Sequence, residues 1–279
     1  MDLTRREAAT LSVATLLATA AGARAAEPDT LVSGDNLPQN LDPHQIFDVP
    51  MQGYALNTYD TLYRYEGNPP QLLPWLAASH TTSADGMTWE FKLRPGSKFH
   101  DGSAITAADV VYSFQRLLAL GKAPAGAFLP VLKPAGMTAP DPATVRFKLE
   151  TAYAPFLAAI PLVSIVNPRV LKAHAKGDDW AAAWLASNEA GSGAYMLTPS
   201  TYMPLQRVDL TRFPAHFMGW KDNPEPLQAV AYRPFKETST RVLALLKGSI
   251  DWTDSYLPVS SLAILTPLRG NFASNTDPL

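Results

Sequence analysis

Apolar residues in this chain alternate with polar ones in some short runs and recur every three or four positions in others, so strands and helices are both predicted. Trp89, Phe91 and Leu93 alternate with Thr88, Glu90 and Lys92, the period of a strand with one buried face. Val145, Phe147 and Leu149 repeat that period. Leu31-Val32-Ser33, Tyr195 to Leu197, Val230 with Tyr232, and Ile250-Asp251-Trp252 predict four further strands. Helical spacing predicts a helix over 52–63, on Tyr54, Ala55, Leu56, Tyr59, Leu62 and Tyr63. It predicts a second between Thr106 and Gly121, where Val110, Val111, Phe114, Leu117 and Leu118 share one apolar face. Shorter helices are predicted around Trp180, Trp184 and Leu185, and around Val242, Leu245 and Leu246 up to Gly248.

The punctuation agrees with this division. Gly67-Asn68-Pro69-Pro70 breaks the first helical pattern. Arg94-Pro95-Gly96-Ser97 places Pro and Gly at the central positions of a type II turn. His100-Asp101-Gly102 reads as a second turn, and Thr106 with Asp109 three residues on is a capping-box pattern. Gly191-Ser192-Gly193 reads as a tight turn into the Tyr195 strand. Strands and helices interleave without a regular βα rhythm, so the predicted class is mixed α/β rather than doubly wound.

Composition narrows the chemistry. The 23 Lys and Arg nearly balance 25 Asp and Glu, which gives no electrostatic reason to expect nucleic acid. The absence of cysteine excludes disulfides, thiolate nucleophiles and Cys-held metals. The 25 prolines favour fixed loops and interrupted elements. Arg5 and Arg6, the uncharged run Ala8 to Ala21, and Ala23-Arg24-Ala25 form a signal-peptide pattern with cleavage expected near Ala25, hence a periplasmic location. The twin arginines alone do not separate the twin-arginine from the general export route.

A long ordered series of residues then resembles a known family. Leu73-Pro74-Trp75-Leu76-Ala77 is followed by Asp85-Gly86-Met87-Thr88-Trp89-Glu90-Phe91-Lys92-Leu93-Arg94, by Phe99-His100-Asp101-Gly102, and by Ile105 through Phe114. This resembles the bacterial extracellular solute-binding proteins of family 5, the oligopeptide, dipeptide and nickel-binding type. Leu41-Asp42-Pro43, Gly191 to Tyr195, and Thr240-Arg241 through Asp251 extend the likeness.

The resemblance implies a three-subdomain clamshell of the periplasmic binding protein kind, with only the first lobe and its inserted subdomain present. It divides the chain into a signal peptide (1–25), a first part of lobe I (26–66), an inserted subdomain (67–177), a second part of lobe I (178–258) and the start of a crossover (259–279). On this reading the chain is truncated, and weak binding and a tendency to aggregate are expected of it. The motif from Leu73 to Phe114 falls in the inserted subdomain, so His100 and Asp101 are expected to be structural.

Such a receptor does no covalent chemistry. No nucleophile elbow, phosphate loop or dinucleotide fingerprint is present, and the five histidines are too scattered to predict a metal site. No cofactor is expected. Two segments are candidate ligand walls: the first loop, through Gln45, Phe47 and Met51, and the crossing segment, through Trp252, Asp254 and Tyr256. Phe47 and Met51 are alternatively core residues at helical spacing, and Asp254 a solvated hinge carboxylate. His44 follows the Asp42-Pro43 pair in the same loop. The function expected is the monomeric substrate-binding component of an ABC importer, delivering peptides or similar small solutes to the permease. The alternatives are a non-binding fragment or docking surface, and an exported hydrolase.

Overall fold

The computed structural model describes residues 29–253 apart from 221, 222 and 224. The leader expected over 1–25 and two expected wall residues, Asp254 and Tyr256, lie outside the described residues. In chain order the elements are β1 (Thr30–Asp35), α1 (Val49–Thr58), β2 (Tyr63–Glu66), β3 (Gln71–Pro74), β4 (Ala77–Thr82) and β5 (Thr88–Leu93). Then come α2 (Ala107–Leu120), β6 (Met137–Asp141), β7 (Thr144–Lys148), α3 (Phe156–Ala159), α4 (Pro168–His174) and α5 (Ala182–Leu185). The last are β8 (Tyr195–Leu197), β9 (Val208–Arg212), β10 (Ala229–Pro234) and α6 (Thr238–Leu246).

The main sheet has the order β1-β10-β9-β8, with β1 parallel to β10 and the other pairs antiparallel. On the free side of β1, the Asp251 and Trp252 N–H groups donate to Val32 O, and Gly34 N–H donates to Trp252 O. The Ile250–Trp252 segment, expected as a strand, therefore meets β1 in parallel through a single bridge between Ser33 and Trp252. Gly34 lets Ile250 approach closely, because a Cβ there would sit 2.5 Å from Ile250 Cδ1 and the isoleucine would have to shift. On one face of this sheet Val32, Ala231 and the adjoining Ile250 pack against Ala244 and Leu245 of α6. The other carries Val208, Leu210, Val230 and Tyr232 under α1, α4 and α5.

A second, antiparallel sheet has the order β4-β5-β7-β6. The alternation of β5 and β7 turns Phe91, Val145 and Phe147 inward with zero exposure. Helix α2 lays Val110, Phe114 and Leu117 on them, and the Phe114 and Phe147 rings are 4.6 Å apart. Each such side chain buried is worth about 1.5–3 kcal/mol, so this sheet has a core of its own. That core begins at Leu62 and closes with Ile165, where Val166 joins the core of the main sheet. The hairpin β2–β3 is a separate two-stranded sheet, and its Tyr63 belongs to the core of the second sheet.

Helix α2 starts where predicted: the Asp109 carboxylate accepts from the Thr106 N–H and from its hydroxyl, both at 2.8 Å. Gly121 ends it in the left-handed conformation, φ 61°. A second stripe of α2 is polar yet also buried, made of Asp109, Ser113 and Arg116 at i, i+4 and i+7. Ser113 Oγ accepts from Val166 N at 3.0 Å, and so stitches the helix to the point where the chain returns to the main layer.

Two sequence expectations are corrected. The helix expected over 52–63 is α1, which starts at Val49 because Asp48 caps it, accepting from Met51 N at 2.8 Å, with Pro50 in the first turn. It ends at Thr58, and Tyr59 is already extended at φ −127°, ψ 149°. Tyr59, Leu62 and Tyr63 are buried all the same, through an extended passage and β2, so their spacing imitates a helix without forming one. Gly191-Ser192-Gly193, expected as a tight turn, forms none, and neither glycine has positive φ. A Cβ at Gly191 would collide with the Thr58 carbonyl, and one at Gly193 with that of Asn57. The glycines let this segment press against the C-terminal end of α1, where Ser192 and Gly193 N–H groups donate to Thr58 O.

Candidate functional site

The first loop is held from beneath by a buried ion pair. Arg116 Nη1 and Nη2 donate to Asp42 Oδ1 and Oδ2 at 2.9 and 2.6 Å, and Arg116 Nε donates to Trp180 O at 2.9 Å. The Asp42 carboxylate also accepts from His44 N and from Gln45 Nε2. Burial by itself would raise the Asp42 pKa, but the Arg116 hydrogen bonds and charge, helped by His44 and Gln45, hold it below the ordinary value. His44 lies fully buried alongside, its Nε2 2.8 Å from Ser164 O. Burial, and then the nearby Arg116 charge, lower its pKa to about 4, so the ring is neutral and Nε2–H donates to Ser164.

Above this base the loop and α1 form one side of a cleft of about 250 Å³. Met51, 1% exposed, is its floor and at the same time part of the main core. Phe47 (46% exposed) and Leu56 (54%) stand on its rim. The opposite side comes from the β2–β3 hairpin and the residue after it, through Arg64, Tyr65 and Trp75, and from Ala158 of α3 with Pro161 and Leu162 just beyond it. Tyr65, 47% exposed, completes the rim, so the cleft is open to solvent on one side.

Trp75 is fixed by a buried polar cluster. Its indole N–H donates to Asp60 Oδ1 at 2.7 Å. Ser192 Oγ donates to Asp60 Oδ2 at 2.8 Å, and His216 Nε2 lies 3.2 Å from Oδ1. In this cluster the aspartate stands between serine and histidine, so the histidine cannot take the serine proton, and the arrangement serves to position. His100 has an equally structural part: Nδ1 is 2.8 Å from Glu189 Oε1 and Nε2 is 2.9 Å from Gly193 O. Burial opposes its charged form, but the Glu189 carboxylate and the Gly193 carbonyl outweigh that and raise the His100 pKa. Asp101 Oδ2 accepts from Asn167 Nδ2 at 2.7 Å.

Of the six expected wall residues, the structure brings Phe47 and Met51 to the cleft. Gln45 does not reach it, because its amide is turned onto Asp42 Oδ2 at 2.9 Å. Gln52, exposed on the first turns of α1, lines the cleft in its place. Trp252 lies beside β1, 49% exposed and away from the cleft. Asp254 and Tyr256 fall outside the described residues. Sequence reading missed Arg64, Tyr65 and Trp75, and the signal for Trp75 was the Leu-Pro-Trp-Leu run itself, a large aromatic beside a strand end.

A mixed α/β main layer, an antiparallel sheet inserted into it and an apolar cleft at their junction describe the first lobe of a periplasmic solute-binding protein. Residues 71–273 match the family described as bacterial extracellular solute-binding proteins, family 5 Middle, and the chain belongs to it. It is 38% identical over 251 residues to the probable D,D-dipeptide-binding periplasmic protein DdpA of Escherichia coli (strain K12), covering 87% of this chain and 46% of that protein. It is 29% identical to the periplasmic oligopeptide-binding protein OppA of Salmonella typhimurium, over 89% of this chain and 47% of that one. Among solved structures, MoaA from A. tumefaciens R10, in complex with mannopinic acid, matches with a TM-score of 0.74 at 26% identity, over 90% of this chain and 50% of that one. The chain thus spans about half the length of the curated relatives it matches.

Proposed function

We propose that this chain provides one wall of the solute site in the substrate-binding component of an ABC importer, acting in the periplasm on peptides or similar small solutes. The observation that carries the reading is the cleft between α1 and the β2–β3 hairpin: apolar on both sides, open on one, with a few polar groups at fixed places. Phe47 and Met51 are its contact surface on the α1 side, and Trp75 and Tyr65 on the other. Residues 67–177 act as a subdomain inserted in the lobe. The reading is supported by the family and by relatives named for dipeptide and oligopeptide binding. Handing the solute to a membrane permease follows from the same kinship. The Ser192–Asp60–His216 cluster does not favour hydrolysis, since the histidine meets Asp60 rather than the serine and Ser192 is fully buried.

The test is saturation-transfer NMR with di- and tripeptides, which detects contacts at millimolar affinity, about −4 kcal/mol. Peptide binding without turnover, weakened severalfold by Phe47→Ala, is the expected result. Peptide cleavage, or binding indifferent to Phe47→Ala and Leu56→Ala, would contradict the reading.

A further inference from the structure

Among the described residues that line the cleft, Arg64 alone carries a charge. Its guanidinium lies over the Trp75 ring, 4.4 Å from the centroid. Glu66 stands at its Nε edge, with Oε1 at 2.5 Å, as an ion contact without hydrogen-bond geometry. The two Nη groups donate to no protein acceptor among the described residues, although the side chain is only 29% exposed. The plane that carries them is set in turn by Asp60, which fixes the Trp75 indole. A planar fork with one face on an indole and an acid at its Nε edge, its two-nitrogen end free in an otherwise uncharged cleft, is arranged to take a planar anion through paired hydrogen bonds.

We infer that Arg64 is the specificity-determining residue of the cleft and that it receives a carboxylate of the solute, with Trp75 and Asp60 as its positioning residues. This rests on the reading of the cleft as a solute site and names the chemical class it selects: small solutes bearing a free carboxylate next to an apolar group. The apolar part lies against Phe47, Met51 and Leu56 while the carboxylate faces the Nη pair. Glu66 tunes the fork, because its negative charge offsets part of the attraction.

The test uses the dipeptide alanyl-phenylalanine and its C-terminal amide, titrated into the chain by saturation-transfer NMR. The native chain is expected to bind the free acid at least tenfold more tightly than the amide. Arg64→Gln should abolish that preference, Arg64→Lys should restore part of it, and Glu66→Gln should increase it. Phe47→Ala should weaken acid and amide equally. Equal binding of acid and amide by the native chain, or an intact preference in a folded Arg64→Gln variant, overturns the inference while leaving the solute site standing. Failure of both ligands to bind removes the solute site, and the inference with it.

Discussion

Arg116 of α2 lies fork-to-fork on the Asp42 carboxylate, at 2.9 and 2.6 Å, and solvent reaches neither side chain. The pair joins residues 74 positions apart. It ties the helix that covers the inserted sheet to the loop that forms the cleft, so a stability element and a candidate binding element share one contact. Asp42→Asn or Arg116→Met would leave a buried charge without its counterpart, at a cost of about 3–5 kcal/mol. Replacing both with apolar residues should cost much less. Urea midpoints of the two single variants and the double variant check this, and single-variant losses below about 1 kcal/mol would count against it.

His44 gives an acid limb to stability. Its pKa is lowered to about 4 in the fold against 6.5 when free, so between those values the unfolded chain binds the additional proton. Stability from this group is complete above about pH 6.5 and falls as pH drops toward 4, by about 3 kcal/mol at most. Replacing His44 with Gln, which can keep a donor toward Ser164, should flatten that limb in urea melts run from pH 7 to 4.

His100 acts in the opposite direction. Its pKa is raised by Glu189 and the Gly193 carbonyl against the opposing effect of burial. The folded state therefore holds a proton that the unfolded state loses. The contribution is fully present below about pH 6.5 and disappears as pH rises through the raised folded value. NMR titration of the His100 ring should give a midpoint above 6.5, and His100→Gln should remove the alkaline decline. A midpoint at or below 6.5 would show that the Glu189 contact does not hold the charge.

Two glycines near α1 should respond with opposite signs. Gly193→Ala drives a Cβ into the Asn57 carbonyl and should cost about 1–3 kcal/mol through overpacking. Gly53 lies within α1, and nothing stands within 4 Å of a Cβ built there. Gly53→Ala should stabilise by about 0.5–1 kcal/mol, since alanine loses less conformational freedom in a helix. Thermal melts of the two variants decide it, and equal effects would mean that the close approach at Gly193 relaxes freely.

Removing the start signal of α2 should be a smaller perturbation. Thr106→Ala deletes the hydroxyl that donates to Asp109 but keeps the backbone N–H contact. A loss of about 1 kcal/mol is expected in thermal or urea unfolding.

The sequence by itself determined the elements whose burial is written locally. The alternation along β5 and β7, the apolar face of α2 between Thr106 and Gly121, and the strands at Val32 and Val230 all stand in the fold where the pattern puts them. So does the family, because its residues come in one ordered run. Phe47 and Met51 were legible as wall candidates because large apolar residues in a first loop must lie on a core or a cleft, and Met51 does both. The tertiary structure decided what depends on neighbours distant in the chain. The stripe of Asp109, Ser113 and Arg116 has the spacing of a solvent-facing row, yet it is buried because Asp42 and Val166 meet it there. Gln45 and Gln52 are chemically alike, and only the position of Asp42 turns the first away and leaves the second to line the cleft. Arg64, Trp75 and Asp60 become one unit through a hairpin and a single indole hydrogen bond. Periodicity records which side of an element leaves water, since the hydrophobic effect has no direction. Hydrogen bonds and ion pairs are directional, and their partners are fixed only once packing has brought the elements together.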